Sequence, residues 1–422
     1  MKYAHQFLVT RVSLIAIGAM LTVPLPAEAG EIHGDQTGQN VSLGSGALFY
    51  NTTGNNNTAS GHNALHKNTT GNHNTASGYA ALRSNTAGYA NTASGFEALR
   101  FNTTGDYNTA SGHNALHKNT TGNHNTASGY EALHKNTTGN NNTASGLYAL
   151  SYNTTGNNNT ASGYKALYFN KGKENTAIGA SALEKNNTGY WNAAVGYHAL
   201  WKNTSGKYNT GLGTAALRNN TTGTENTGIG FRAGAKNNGS GNIFIGHEAG
   251  YNNRYRNVSN KLLIANGKQS ANLLISGDFF THEVNINGDL HASGNLTQNS
   301  DERLKKDIQP LTHALDAILQ LQGKTYRWKE DTTFANKQDI GLVAQDVEKV
   351  FPELVAENEQ GYKGIAYSKL TAVLIEAIKE QQNQITTLQQ ENQQLKSAMV
   401  EQMQALLARV AMLEGASLMA AN

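Results

Sequence analysis

The 422-residue chain has no cysteine and only 4 prolines. The first absence removes disulfides and thiolate metal ligands. It leaves export open, because a fibre can be stabilised by oligomerisation instead. Charge is also scarce: 15% of residues, with a formal balance of +3. That balance is too weak to argue for nucleic acid, and no Lys/Arg cluster with interleaved aromatics appears along the chain. The hydrophobic fraction, 38%, is modest for one large globular core. Long apolar runs are missing after the first 30 residues or so. Val12 to Leu25 follows Lys2 and Arg11, and ends at Pro24 and Pro26 before the small-x-small triplet Ala27-Glu28-Ala29. It is too short for a span of about 20 residues. The expectation is a secretory signal, residues 1–29, cleaved after Ala29. The mature protein is then expected to be secreted or on the cell surface, without a membrane span.

What the chain does have is glycine (44 residues), together with Asn, Thr, Ala and Ser. These fall into a repeat, N-T-A-S-G-x-x-A-L-x-x-N-T-T-G-x-x, from about Asn40 to Gly246. Its anchor glycines run from Gly44, Gly61 and Gly78 to Gly213, Gly230 and Gly246, at steps of 17 residues, shortened twice to 16. Fixed spacing of this kind means a solenoid, here assigned to residues 30–250. The unit is too short for a helical hairpin, and its Thr and Asn content disfavours helix. Two short strands separated by Gly and Asn turns are expected in each coil. Ala59, Ala64 and Leu65 should point inward, while Asn57 and Asn68 should stack on their counterparts as hydrogen-bonded ladders. Stability should then come from stacking of coils.

The late copies become apolar at the fourth position: Ile178, Val195, Leu212, Ile229 and Ile245. Asn175-Thr176-Ala177-Ile178-Gly179 and Asn192-Ala193-Ala194-Val195-Gly196 resemble the N-x-x-(I/V/L)-G repeats of YadA-like trimeric adhesin heads. The resemblance implies a parallel β-roll assembled from three chains. Two departures stand against it: repeats a few residues longer, and Ser at the apolar position of the early copies. His62, His66, His73, His113, His117 and His124 fall where other copies carry Tyr, Phe or Asn. They read as solvent-facing decoration rather than metal ligands, and no cofactor or metal is expected. Asn-x-Thr triplets such as Asn68-Thr69-Thr70 recur because the repeat does, and read as turns.

Residues 251–299 form a neck of short strand patterns: Leu262 to Ala265, Leu273 to Asp278, and Val284 to Leu290. Their single apolar stripes suggest a stalk interdigitated between three chains. The stretch resembles the segment preceding the processing domain of phage tail fibres.

The most specific motif follows: Ser300-Asp301-Glu302-Arg303-Leu304-Lys305-Lys306-Asp307-Ile308. After it come a helix-like stretch from Leu311 to Leu321, Tyr326-Arg327-Trp328, Ile340 to Glu348, Phe351-Pro352-Glu353-Leu354-Val355, and Tyr367-Ser368-Lys369-Leu370. A serine hydroxyl needs a base to become a nucleophile. Arg303 stays protonated, which leaves Lys305 and Lys306, either of which could serve if burial between chains lowered its pKa. In order and spacing these blocks are similar to the endosialidase-type intramolecular chaperone, the Ser–Lys self-cleaving peptidase family of phage tail fibres and spikes, from about Ser300 to Gln390. The resemblance implies a trimeric α+β domain that sets the register of a fibre and then cuts itself off. It maps the nucleophile onto Ser300 and the base onto Lys305. Attack on the carbonyl of Asn299 passes through a five-membered ring, favouring the Asn299–Ser300 bond; the Ser300–Asp301 bond stays open if another chain contributes.

The domain is assigned to residues 300–370, a coiled-coil helix to 371–414 and a tail to 415–422. Leu374, Ile378, Ile385, Leu388, Leu395, Met399, Leu406 and Leu413 follow a heptad seam, with Gln381, Asn392 and Gln402 inside it. After Met399 the seam can shift to Met403 and Val410. The fold class is thus a mainly β solenoid and neck followed by an α+β domain with a long coiled-coil helix. The function read from it is a secreted homotrimeric fibre or adhesin with a self-cleaving chaperone. The alternative is a phage-type tail fibre or spike binding a cell-surface glycan or protein receptor. A glycan hydrolase needs two placed carboxylates, and Asp106, Glu131 and Glu184 are merely scattered.

Overall fold

A computed structural model describes residues 32–35, 38–267, 272–330, 334–358 and 361–420. The expected signal, residues 1–29, lies outside them. The chain divides into two compact units, one ending at Asp289 and the other beginning at Leu290.

The first unit is a β-solenoid. Each coil contributes one three-residue strand, from Thr58–Ser60 to Ile243–Ile245, paired in parallel with the same residues one coil on, Ala59 opposite Ala76 and Ala76 opposite Ala93. Asn40–Leu43 begins the parallel stack, and Ile32–Asp35 lies antiparallel along its free edge. At the other end Lys261–Ala265 adds in parallel, then Leu273–Asp278 and Glu283–Ile286 complete an antiparallel meander. The neck strands therefore pair with one another within one chain.

One strand per coil, not two, is the main departure from expectation. The A-L half of the unit is a run of turns. Three residues per coil adopt left-handed backbone, as at Asn63 (φ 57°), Leu65 (φ 48°) and His73 (φ 56°). Closing a 17-residue loop around one short strand demands three sharp reversals, and an extended second strand would overshoot them. A left-handed leucine costs roughly 1–2 kcal/mol. Burial offsets this: Leu65 is 0% exposed, which contributes about 1.5–3 kcal/mol. Its N–H also donates to Ala81 one coil on, at 3.0 Å.

The expected inward residues are inward: Ala59, Ala64 and Leu65 and their equivalents form one continuous core. At the C-terminal end the core exchanges its parts. Phe244 occupies the strand position of Ala59, and Gly234 and Gly250 stand where leucine was. A β-carbon on either glycine would strike the Phe244 ring. The anchor glycines have a different reason: Gly61 has φ 133°, and a β-carbon there would lie 2.5 Å from the Gly78 carbonyl oxygen.

Both asparagine ladders are present and buried. Asn57 Oδ1 accepts from the Asn74 N–H at 3.0 Å and from its Nδ2 at 3.2 Å. Asn85 Nδ2 donates to Asn68 Oδ1 at 2.8 Å. In the coil of Asn170-Lys171-Gly172 the missing residue comes out of the N-T-T-G loop, so the ladder continues unbroken, Asn186 to Asn170 at 2.7 Å.

In the second unit, α1 is Ala314–Ile318, α2 is Ala344–Val350 and α3 is Tyr367–Ala420. Two hairpins, Lys324–Arg327 with Gln338–Gly341 and Val355–Glu357 with Lys363–Ile365, complete it. Helix α1 is shorter than the Leu311 to Leu321 pattern suggested, because His313 ahead of it is left-handed (φ 57°). Helix α3 runs through Gly415 into the segment assigned as a tail, since one glycine among good helix formers costs only about 1 kcal/mol. Ala314, Val347, Phe351, Leu354, Leu370, Val373 and Ala377 make the core. Glu380 accepts the N–H groups of Ala314 (3.1 Å) and Leu315 (2.8 Å), tying α3 to the start of α1. These hydrogen bonds, Leu315's foremost, hold its carboxyl below the usual range. From Gln381 to Ser417 every residue of α3 is exposed, the heptad seam included. No helix of the described residues is long and apolar enough to cross a membrane.

Candidate self-cleavage site

Ser300 ends an exposed stretch without regular structure and stands before a one-turn 3-10 helix, Glu302–Leu304. The residue that caps this turn is Asp301. Its Oδ1 accepts the Arg303 N–H at 2.9 Å, and the Arg303 guanidinium grips the carboxylate at 3.0 Å (Nε to Oδ1) and 2.6 Å (Nη2 to Oδ2). The Arg303 side chain is the first cause of the lowered Asp301 carboxyl pKa. With Asp301 capping and Arg303 committed to it, the Ser300 hydroxyl is left for another partner.

That partner comes from the far side of the same turn. The Lys305 N–H closes on the Glu302 carbonyl at 3.0 Å, and Lys305 then leaves in extended conformation (φ −121°, ψ 151°). Its side chain folds back, and Nζ donates to Ser300 Oγ at 2.7 Å. Of the two lysines that residue chemistry left open, Lys305 is the one that reaches the serine. The separation suits proton transfer. In the single chain both residues are exposed. A solvated ammonium is no base at neutral pH; desolvation is what makes a lysine one.

A second contact escaped the sequence reading. Gln298 Nε2 donates to Ser368 Oγ at 3.1 Å, and Ser368 Oγ lies 3.3 Å from Gln298 Oε1. The segment leading into Ser300 is thereby held to the first turn of α3. Tyr367-Ser368-Lys369-Leu370 had signalled only a helix start. Tyr367 also works across the unit, its hydroxyl accepting the Leu342 N–H at 2.9 Å.

The solenoid histidines are not simple decoration. His62, Tyr79, Phe96, His113 and Tyr130 form one stacked column with centroids 5.2, 5.0, 4.9 and 5.1 Å apart. His117 is buried, contrary to the solvent-facing expectation, because Glu97 and Phe101 of the preceding coil and His134 of the next one cover it. Its Nε2 lies 3.0 Å from Glu97 Oε2, and burial pushes both His117 and His134 below the usual imidazole range. Among the described residues no group of three or more His, Asp or Glu is placed to hold a metal ion.

Residues 300–356 match a family model described as "Chaperone of endosialidase". Three phage proteins named "Long tail fiber protein Gp37" are similar to the chain. That of Salmonella phage S16 is 32% identical over 138 residues, 29% of this chain and 18% of its own length. That of Enterobacteria phage T2 is 34% identical over 116 residues, 24% of this chain and 9% of its own. That of Enterobacteria phage K3 is 36% identical over 103 residues, 22% of this chain and 8% of its own. The chain thus spans less than a fifth of the length of each. It carries a chaperone-of-endosialidase domain in its C-terminal part and is homologous to phage long tail fibre proteins.

Proposed function

We propose that the chain is the subunit of a homotrimeric fibre whose C-terminal domain aligns three copies and is then released by self-cleavage at Ser300. The observation that carries the cleavage is the 2.7 Å approach of Lys305 Nζ to Ser300 Oγ, at the first residue of the family match. Assembly supplies the missing condition. Burial of Lys305 among neighbouring chains would favour its neutral amine, the proton passing to water, so that it can act as a base. Neutral Lys305 then accepts the Ser300 hydroxyl proton, and Oγ attacks the Asn299 carbonyl carbon. The Asn299–Ser300 C–N bond breaks as an ester forms on Oγ, and the Lys305 ammonium returns the proton to the departing Ser300 amine. Water hydrolyses the ester, leaving a carboxylate on Asn299. Cleavage of the Ser300–Asp301 bond would instead need a group from another chain.

Two apolar stripes support three-chain assembly. One is the exposed seam of α3, Leu388 and Leu395 among it. The other is the outward row Ile178, Leu212 and Ile229 on the solenoid strands, in register from coil to coil. The homologues favour a tail fibre on a virion; the signal-like residues 1–29 favour a fibre exported by a cell. N-terminal sequencing of the mature protein separates the two.

The cleavage test is a denaturing gel with intact mass measurement. The unchanged chain should split, giving a fragment that begins at Ser300 or Asp301. Ser300→Ala and Lys305→Ala should stay whole, and Lys306→Ala should still split. Splitting in both of the first two variants would remove the dyad.

A further inference from the structure

The solenoid edge just after the leucine turn carries a second site. In most coils a threonine of the N-T-T-G loop seals this edge, as Thr137 Oγ1 does by donating to the Thr154 carbonyl at 3.0 Å. The shortened coil puts Lys171 at that position, and the next coil puts Asn187 there. A groove of about 400 Å³ opens, lined by Tyr152, Phe169, Lys171, Lys185 and Asn187.

Its rings differ from those of the stacked column. In the column, neighbouring planes are within 16° of parallel, so the inner rings turn their faces toward one another. Around the groove the rings are tilted: Tyr152 against Phe169 by 48°, Tyr152 against Tyr168 by 60°. Exposure does not separate the two sets, since Phe169 is 43% and Tyr79 47% exposed; the tilt does. A tilted, exposed ring offers a face, and a face is what the C–H side of a sugar ring packs against. The cations are gathered here as well. Lys135 Nζ stands 3.6 Å from the Tyr152 centroid, and Lys185 Nζ 4.4 Å from that of Trp201 one coil on. None of the five lining residues is acidic.

We propose that this groove binds an acidic oligosaccharide, with a sugar face on Phe169, a carboxylate between Lys171 and Lys185, and hydroxyls at the Asn187 amide. Coils repeat at about 4.8 Å, so a ligand lying along the axis would meet Trp201 and Lys202 next. Nucleic acid fits less well: a formal balance of +3 over the whole chain supplies no extended cationic track for a phosphate backbone. The site is independent of the cleavage chemistry, and it is tested on uncut Ser300→Ala protein as well as on the natural chain.

The experiment is calorimetric titration with oligogalacturonate, against galactose oligomers of equal length and a single-stranded oligonucleotide. Oligogalacturonate should bind at least about tenfold more tightly than either. Lys171→Gln with Lys185→Gln, both at exposed positions, should weaken it by about tenfold or more. Phe169→Ala should do the same, whereas Tyr79→Ala in the stacked column should leave it unchanged. Circular dichroism melting of each variant identifies any that fails to fold. Equal binding of neutral and acidic oligomers would overturn the proposal. So would equal binding of the oligonucleotide, or full affinity in the folded double-lysine variant.

Discussion

The solenoid and the long helix handle apolar surface in opposite ways. In the solenoid, each coil hides its leucine and alanines against the coils on either side, and the asparagine ladders satisfy the buried backbone. A single chain thus completes its own core. In α3 no residue from 378 to 417 is buried, yet the leucines and isoleucines keep coming at heptad spacing. One chain cannot finish that helix. Under the proposed function, the long exposed seam of α3 would bring three chains into register, and the outward row Ile178, Leu212 and Ile229 would add contact along the late coils.

Mutations should separate the two regions. Leu133 is 0% exposed in the solenoid, and Leu395 is 63% exposed on α3. Leu133→Ala should cost about 2–5 kcal/mol in denaturant unfolding, whatever the state of assembly. Leu395→Ala should be nearly neutral at dilutions where chains are separate and costly where they are assembled. Equal, concentration-independent losses would erase the contrast.

A smaller effect is expected from the amides. Asn125 Nδ2 donates to the Gly139 carbonyl at 2.8 Å, and its Oδ1 accepts from the Asn142 N–H at 3.0 Å, both buried. Asn125→Ala strands the Asn142 N–H, while the Gly139 carbonyl keeps Asn136 Nδ2 at 3.0 Å, and should cost about 1–3 kcal/mol. Asn392 donates to the Leu388 carbonyl at 2.9 Å on an exposed helix surface, where water can replace it. Asn392→Ala should change the stability of separate chains by less than about 0.5 kcal/mol. Thermal melts of the two variants side by side give the comparison.

The smallest effect concerns pH. His117, buried, and His134, half-buried, both titrate below the usual imidazole range because the protein around them desolvates the charged form. The unfolded chain therefore binds more protons as pH falls through about 6.5. Their contribution to stability is complete above that pH and is lost progressively below it, toward their lower folded values. His117→Asn should flatten the slope of stability against pH in this window, and no slope in the unchanged protein would contradict the assignment.

Much of this was legible in the sequence because the repeat states its own geometry. Recurring Ala and Leu positions could only be core, and an invariant polar residue such as Asn57, among variable neighbours, pointed to a ladder. The second strand was misjudged because an Ala-Leu pair looks alike in a strand and in a left-handed turn; nothing in leucine announces φ near 50°. The groove was invisible for another reason. Tyr152, Phe169 and Lys185 are spread over 33 residues of chain and meet only when coils stack, so no cluster stands out along the sequence. At the cleavage site, residue chemistry left Lys305 and Lys306 open, and Lys305 was named only through the resemblance; the tight turn that brings it to Ser300 is seen in the fold. Gln298 and Ser368 could not be named at all, being 70 residues apart.

The most direct test joins assembly to cutting. Leu388→Glu with Leu395→Glu changes two exposed seam positions far along the chain from Ser300 and should leave the solenoid and the Ser300–Lys305 turn intact. Native mass spectrometry of this variant beside the unchanged chain reads oligomeric state and cleavage together. The expected result is a cut trimer from the unchanged chain and separate, uncut chains from the variant. A variant that stays monomeric but is still cut at Ser300, or one that still assembles and cuts, would contradict the account.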